Sequence, residues 1–127
     1  MPHLLLIEDN EANQDLTARY LRLFEYEVTI AGCGDLGLAA ARNAAEMWSA
    51  ILLDMNLPDI DGWEVARRLK TSEATREIPL IALTAHAMAG DREKTLAAGC
   101  DDYASKPVDF PRLLGQLQTL LNKAAAV

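Results

Sequence analysis

The strongest constraint on the fold is a set of five short apolar runs: Leu4 to Ile7, Val28 to Ala31, Ile51 to Leu53, Leu80 to Leu83 and, weakest, Tyr103 to Ala104. The first, third and fourth are apolar without alternation, as strands buried on both faces of a sheet should be. Between and after them lie five helix candidates. Leu16, Tyr20, Leu23 and Phe24 follow the spacing i, i+4, i+7, i+8 and predict one apolar stripe packed on the sheet, and Leu113, Leu117, Leu120 and Leu121 repeat it near the C-terminal end. Asp109 ahead of Phe110 and Pro111 predicts an N-cap with proline in the first turn, Gly99 a helix stop, and Pro79 the opening of a strand. Strand and helix alternating five times implies an α/β fold, with parallel strands joined by right-handed crossovers and helices on both faces.

No linker, repeat or low-complexity tract breaks this series, so residues 1–127 read as one domain, and half of the residues are apolar, enough for one core without metal or disulfide staples. Asp and Glu number 19 against 12 Lys and Arg, and the net charge of −7 opposes a polyanion such as nucleic acid. No apolar stretch approaches the roughly 18 to 20 residues that cross a bilayer, and Glu8 and Asp9 stand where a secretory signal needs a basic start. A soluble, cytoplasmic chain with no membrane insertion is expected. Cys33 and Cys100 lie far apart, without redox or metal-ligand spacing, and read as small packing thiols.

In an open parallel sheet the ligand crevice lies beyond the carboxyl ends of the strands, near the point where strand order reverses. That rule selects Glu8 and Asp9 after the first run, Asp54 after the third, Thr84 after the fourth and Lys106 beside the fifth. Two like charges 4 Å apart repel by about 4 kcal/mol at an effective dielectric near 20, so clustered carboxylates call for a cation among them. Magnesium suits an incomplete cage of oxygen ligands completed by water and a phosphate oxygen. Lys106 and Thr84 are equipment for holding a phosphoryl group, and Asp54 can be the attacking carboxylate. No histidine, cysteine or serine with a partnered base joins the set, and Gly-x-Gly-x-x-Gly, Gly-Lys-Ser/Thr and His-Glu-x-x-His motifs are missing from the sequence. Asp15, Asp35, Asp59 and Asp61 read as solvated surface acids, His3 as a strand lead, and Trp48 and Trp63 as packing or partner-facing anchors.

The strand lead Leu4-Leu5-Leu6-Ile7-Glu8-Asp9-Asn10, the segment Leu52-Leu53-Asp54-Met55-Asn56-Leu57-Pro58 with Asp61-Gly62, the pair Thr84-Ala85, and the run Gly99-Cys100-Asp101-Asp102-Tyr103-Ala104-Ser105-Lys106-Pro107 together resemble the receiver domains of two-component response regulators. The resemblance covers essentially the whole chain. It implies a flavodoxin-like, doubly wound, five-stranded parallel sheet of order 2-1-3-4-5 with five helices. It implies Asp54 as phosphoacceptor, with Glu8, Asp9, Asp54 and the Asn56 backbone carbonyl around magnesium, or manganese as the alternative ion. Lys106, Thr84 and Ala85 would receive the phosphoryl group, Thr84 and Tyr103 would form the switch, Lys106-Pro107 would be a cis peptide, and Asn56 and His86 would tune dephosphorylation. Gly62, at the entry to its helix, is expected to relax the backbone there.

The activity implied is a phosphorelay step: transfer from a phosphohistidine of a histidine kinase or histidine phosphotransfer protein to Asp54, then a shift in a protein-binding surface that a downstream protein target reads. Helix 4, strand 5 and helix 5, about Asp91 to Ala98, Tyr103 to Lys106 and Phe110 to Lys123, would form that surface and could carry a homodimer. The chain is thus expected to dephosphorylate itself without being a turnover enzyme. Alternatives are a receiver excised from a hybrid histidine kinase, a small magnesium-dependent phosphatase using an aspartyl intermediate, a flavodoxin-like cofactor carrier and a pure interaction domain. With the sequence ending at Val127 and Met1 directly before the domain, a stand-alone regulator without an output domain is expected in preference to an excised receiver.

Overall fold

The computed structural model describes residues 1–85 and 89–125. In chain order the elements are β1 (His3–Ile7), α1 (Glu11–Leu23), β2 (Glu27–Ala31), α2 (Gly34–Asn43), a short 3-10 turn (Ala45–Met47), β3 (Ala50–Asp54), α3 (Gly62–Thr71), β4 (Leu80–Thr84), α4 (Ala89–Ala97), β5 (Asp102–Ser105) and α5 (Phe110–Ala125). The strands form one parallel sheet of order β2-β1-β3-β4-β5. β1, β3 and β4 occupy its centre and are buried almost throughout, which is why their sequences do not alternate; the edge strands β2 and β5 are partly exposed. Strand periodicity divides each central run between two cores. Leu5, Ile7, Ile51 and Leu53 face α2 and α3, with Leu38, Ala41, Val65 and Leu69 packed on them. Leu4, Leu6, Leu52 and Leu83 face α1 and α5, with Ala18, Leu21, Leu113 and Leu117. Among the described residues, no helix is long and apolar enough to cross a membrane.

Several local expectations are met. Asp109 caps α5, its carboxylate accepting the Arg112 N–H at 3.2 Å, and Gly99 ends the segment after α4 at φ 100°, a left-handed conformation that favours glycine. Cys33 and Cys100 are free thiols, and burial pushes the Cys100 thiol up to about 12, leaving it a packing residue. Three expectations need correction. Of the stripe predicted on α1, Tyr20 is half-buried and stacks on Phe110 at 4.6 Å, but Leu16 (58% exposed), Leu23 (78%) and Phe24 (51%) point outward, while Thr17, Ala18 and Leu21 are buried. The buried face of the helix is thus built on Leu21 and the small residues at 17 and 18, and Leu16, Leu23 and Phe24 turn away from it. Gly62 is required by close approach and not by backbone freedom, because a Cβ there would stand 2.4 Å from the Met55 Cα and 2.8 Å from the Met55 carbonyl oxygen. Asp59 and Asp61 are not idle surface charges. Asp61 caps α3 through the Trp63 N–H at 3.1 Å, and Asp59 accepts the Gly34 and Asp35 amides at 2.8 and 2.9 Å.

Candidate functional site

The carboxyl ends of β1, β3 and β4 and the residue after β5 meet at one edge of the sheet, where β1 lies between β2 and β3 and the strand order reverses. Parallel register places Ile7 opposite Leu53 and Asp54 opposite Leu83, so the residues that end these strands converge although they are remote in sequence. Glu8, Asp9 and Asp54 each offer a carboxylate oxygen, and these atoms lie within 4.8 Å of one another. Glu8 and Asp54 are 2% exposed, whereas Asp9 stands open to solvent. The Lys106 ammonium reaches in from the loop after β5, 2.7 Å from Asp54 Oδ1 and 3.5 Å from Glu8 Oε1. The Lys106-Pro107 peptide bond is cis.

Backbone groups hold these acids in place. The Asn56 N–H donates to Asp54 Oδ1 at 3.0 Å, and the Asn10 N–H donates to Glu8 Oε2 at 3.2 Å. Asn10 also caps α1 by accepting the Asn13 N–H at 2.9 Å, and the Gln14 side-chain amide donates to the Glu8 carbonyl at 2.6 Å. Asn10 and Gln14 therefore support the site without having been singled out from sequence. An asparagine just ahead of a helical segment was the available signal for Asn10; for Gln14 there was none, since a glutamine inside a helix says nothing of its partner.

Electrostatics follow from the burial. Desolvation, then the hydrogen bond shared with Asp54, push Glu8 up to about 7, partly opposed by the Asn10 amide and Lys106. Burial alone would raise Asp54 too, but the hydrogen bonds from Glu8, Lys106 and the Asn56 amide outweigh it and hold that carboxyl below its usual range. Without a metal, a proton on this pair is therefore held by Glu8 in preference to Asp54. The donor set is all oxygen, compact and short of positive charge, which fits a hard divalent cation such as magnesium.

Thr84 closes β4 and is buried, its carbonyl accepting the Lys106 N–H at 2.8 Å, and Ala85 beside it is exposed. Tyr103, in β5, is half-buried against the α2 and α3 core, and its carbonyl accepts the Gln116 side-chain amide at 2.8 Å. The Asn56 side of the loop is exposed. His86 lies outside the described residues. Trp63 at the start of α3 has the Lys94 ammonium of α4 over its ring at 4.7 Å, and Trp48 is buried, its indole N–H donating to the Ala40 carbonyl. A cleft of about 180 Å³, lined by Leu16, Thr17, Val108 and Phe110, opens beside Glu8 and Lys106 between α1 and α5.

Comparison with known proteins agrees with this geometry. The family model described as the response regulator receiver domain matches residues 4–118. The polar-differentiation response regulator DivK of Brucella ovis is 37% identical over 123 residues, covering 95% of this chain and 97% of that protein. The receiver domain of a sensor histidine kinase from Pseudomonas aeruginosa PAO1, which has a magnesium ion coordinated in its active-site cleft, is similar at a TM-score of 0.86 and 38% identity, covering 95% of this chain and 98% of that one. A CheY-like receiver domain protein from Methanospirillum hungatei JF-1 gives a TM-score of 0.89 at 29% identity, covering 99% of this chain and 98% of that one.

Proposed function

The chain belongs to the response regulator receiver domains, and serves in phosphorelay signalling; on that premise we propose that Asp54 is its phosphoacceptor and that Glu8, Asp9, Asp54 and the Asn56 carbonyl hold magnesium, with manganese as the alternative ion. The observation that carries the reading is the Asp54 carboxylate itself: buried at the end of a central strand, held below its usual range by hydrogen bonds with Glu8, with Lys106 at 2.7 Å and with the Asn56 amide, and within 4.8 Å of two further carboxylates. An Asp54 oxygen attacks the phosphorus of a phosphohistidine on a histidine kinase or histidine phosphotransfer protein. The phosphorus–nitrogen bond breaks and the imidazole leaves with the electron pair, so an acyl phosphate remains on Asp54. Bound magnesium would supply charge neutralisation for the phosphoryl oxygens. The Lys106 ammonium stabilises the charge spread over those oxygens, and the Thr84 hydroxyl and the amide of Ala85 meet them after transfer. Phosphorylation replaces the single charge of the Asp54 carboxylate with the roughly −2 of an acyl phosphate, adding about one negative charge and new acceptor oxygens, and the movement of Thr84 with Tyr103 passes that change to α4, β5 and α5, the face that a downstream protein target or a second copy of the chain would contact.

Receiver domains are generally not turnover enzymes, and we assign to this one only the slow hydrolysis of its own acyl phosphate, tuned by Asn56 and His86. Residues 1–127 form the receiver unit, acting in the cytoplasm. Leu16, exposed on α1 and lining the cleft that reaches Lys106, with Leu23 and Phe24 exposed at the C-terminal end of that helix, supports a protein carrier of the phosphohistidine as donor. The test is incubation with phosphoramidate and magnesium followed by intact mass measurement: wild type gains one phosphoryl mass and Asp54→Asn gains none. Stoichiometric labelling of the Asn variant would sink the assignment.

A further inference from the structure

The loop from Asp54 to α3 carries Asn56, whose N–H donates to Asp54 Oδ1, and it is fastened at three points. At its start the Met55 N–H donates to the Leu83 carbonyl at 3.0 Å. At its end Gly62 presses on the Met55 backbone, with no room for a side chain. The middle fastening is Asp59, whose Oδ1 accepts the Gly34 N–H at 2.8 Å and whose Oδ2 accepts the Asp35 N–H at 2.9 Å. These partners belong to the first turn of α2, a helix whose own N-cap residue, Cys33, makes no side-chain capping bond. The leading amides of a helix lack internal partners, and here a residue 24 and 25 positions away supplies the acceptors. The loop also lies directly on the helix end: a Cβ at Gly34 would stand 3.3 Å from Asp59 Oδ1 and 3.2 Å from the Ile60 Cβ. Those amides, that of Asp35 first, hold the Asp59 carboxyl down at about 2.

We propose that Asp59 is a positioning residue for the phosphoacceptor: by tying the middle of the loop to the first turn of α2 it fixes the Asn56 amide, and through it the Asp54 carboxylate presented to Lys106. The inference rests on the reading of Asp54 as phosphoacceptor. A cap that served α2 alone could be built locally, since Cys33 sits in extended backbone where serine accepts an amide as N-cap. Placing the acceptor on the loop instead makes one carboxylate serve two elements, so loop order and the α2 terminus are linked.

The test separates capping from positioning with four chains: wild type, Asp59→Ala, Asp59→Asn and Cys33→Ser/Asp59→Ala. Each is measured for thermal midpoint, for magnesium affinity by calorimetry, for labelling rate with phosphoramidate and for exchange of the Asn56 amide without metal. Asp59→Ala is expected to lose stability and about tenfold in both magnesium affinity and labelling rate, the low end of what outer partners of metal sites give. Its Asn56 amide exchanges faster while the β3 amides keep wild-type protection. The double variant, with its local cap, recovers the midpoint and remains about tenfold down in affinity and rate. Asp59→Asn keeps one acceptor oxygen and falls between. Wild-type affinity and rate in a double variant of restored midpoint would overturn the positioning role, as would unchanged Asn56 exchange in Asp59→Ala. Should Asp59→Ala not fold, the Asn and double variants decide by the same readouts. Failure of wild type itself to bind magnesium or take up phosphoryl overturns the functional reading and is distinguishable, because the Asn56 exchange test needs neither.

Discussion

Magnesium binding is expected to expel a proton and to weaken about tenfold between pH 8 and pH 6. Burial and the hydrogen bond with Asp54 push Glu8 up to about 7. A single-site titration then leaves Glu8 about nine-tenths protonated at pH 6, about half at pH 7 and about one-tenth at pH 8. Metal ligands bind deprotonated, so the cation must displace that proton. Apparent affinity follows the ionised fraction, which changes about tenfold over the two pH units, equivalent to about 1.4 kcal/mol. Calorimetry in two buffers of different ionisation enthalpy counts the protons directly: about 0.9 released per magnesium at pH 6, about 0.5 at pH 7 and about 0.1 at pH 8. Glu8→Gln should bind more weakly and show neither release nor slope. The sign for folding is the reverse of the usual carboxylate case. An acid raised in the folded state holds its proton more tightly there, so this group's contribution to metal-free stability is fully present below its ordinary value near 4.5 and is lost as pH rises to about 7. Equal affinity at pH 6 and pH 8 with no proton released would refute the shared-proton description of Glu8 and Asp54.

Leu21→Ala should cost about 2–5 kcal/mol in denaturant unfolding, whereas Leu23→Ala, two residues on and 78% exposed, should stay within about 0.5 kcal/mol; equal losses would restore the outer stripe of α1 as its packing face. Gly62→Ala, driven 2.4 Å from the Met55 Cα, should cost about 1–3 kcal/mol and lower the thermal midpoint by about 4 °C or more, and an unchanged midpoint would contradict the close approach. Lys106→Met removes the ammonium 2.7 Å from Asp54 and should slow phosphoryl uptake from phosphoramidate about a hundredfold; a rate within about twofold of wild type would take that ammonium out of the phosphoryl site.

What could be read from the sequence depended on whether the determining contact was local or periodic. The central strands were legible because burial on both faces leaves nothing polar to alternate, and their boundaries fall within a residue or two of Leu4 to Ile7, Ile51 to Leu53 and Leu80 to Leu83. The site was legible for the same reason: once the strands are parallel and adjacent, the residues just past their ends must converge, and Glu8, Asp9, Asp54, Thr84 and Lys106 do. The face of α1 was not, because a search for large apolar side chains at helical spacing selects Leu16, Leu23 and Phe24 and passes over Thr17 and Ala18, whose smallness is what allows contact. Asp59 was illegible as well. Its partners are amides, which carry no side-chain signature, and they lie on the far side of β3 in sequence.

Charge balance ties the proton, the cation and the phosphoryl group into one device. Three carboxylates face one ammonium in a site where two of the acids are 2% exposed, so the bare cluster is short of positive charge. Without metal, burial and the hydrogen bond with Asp54 favour meeting that shortfall with a proton on Glu8. A divalent cation meets it more fully and releases that proton, leaving Asp54 ionised beside Lys106. On the proposed reading of Asp54, phosphoryl transfer then adds about one further negative charge to the cluster, the carboxylate's single charge giving way to an acyl phosphate of roughly −2. That charge arrives 2.7 Å from the Lys106 ammonium and at the end of the strand that bears Thr84, whose carbonyl already holds the Lys106 amide. On that reading the loop after β5 touches the modified residue through Lys106, and the end of β4 is joined to that loop through the Thr84 carbonyl. Thr84 pairs with Ser105 and Ala82 with Tyr103 in the β4–β5 register, so on that reading a displacement at Thr84 or Lys106 bears directly on the strand that carries Tyr103.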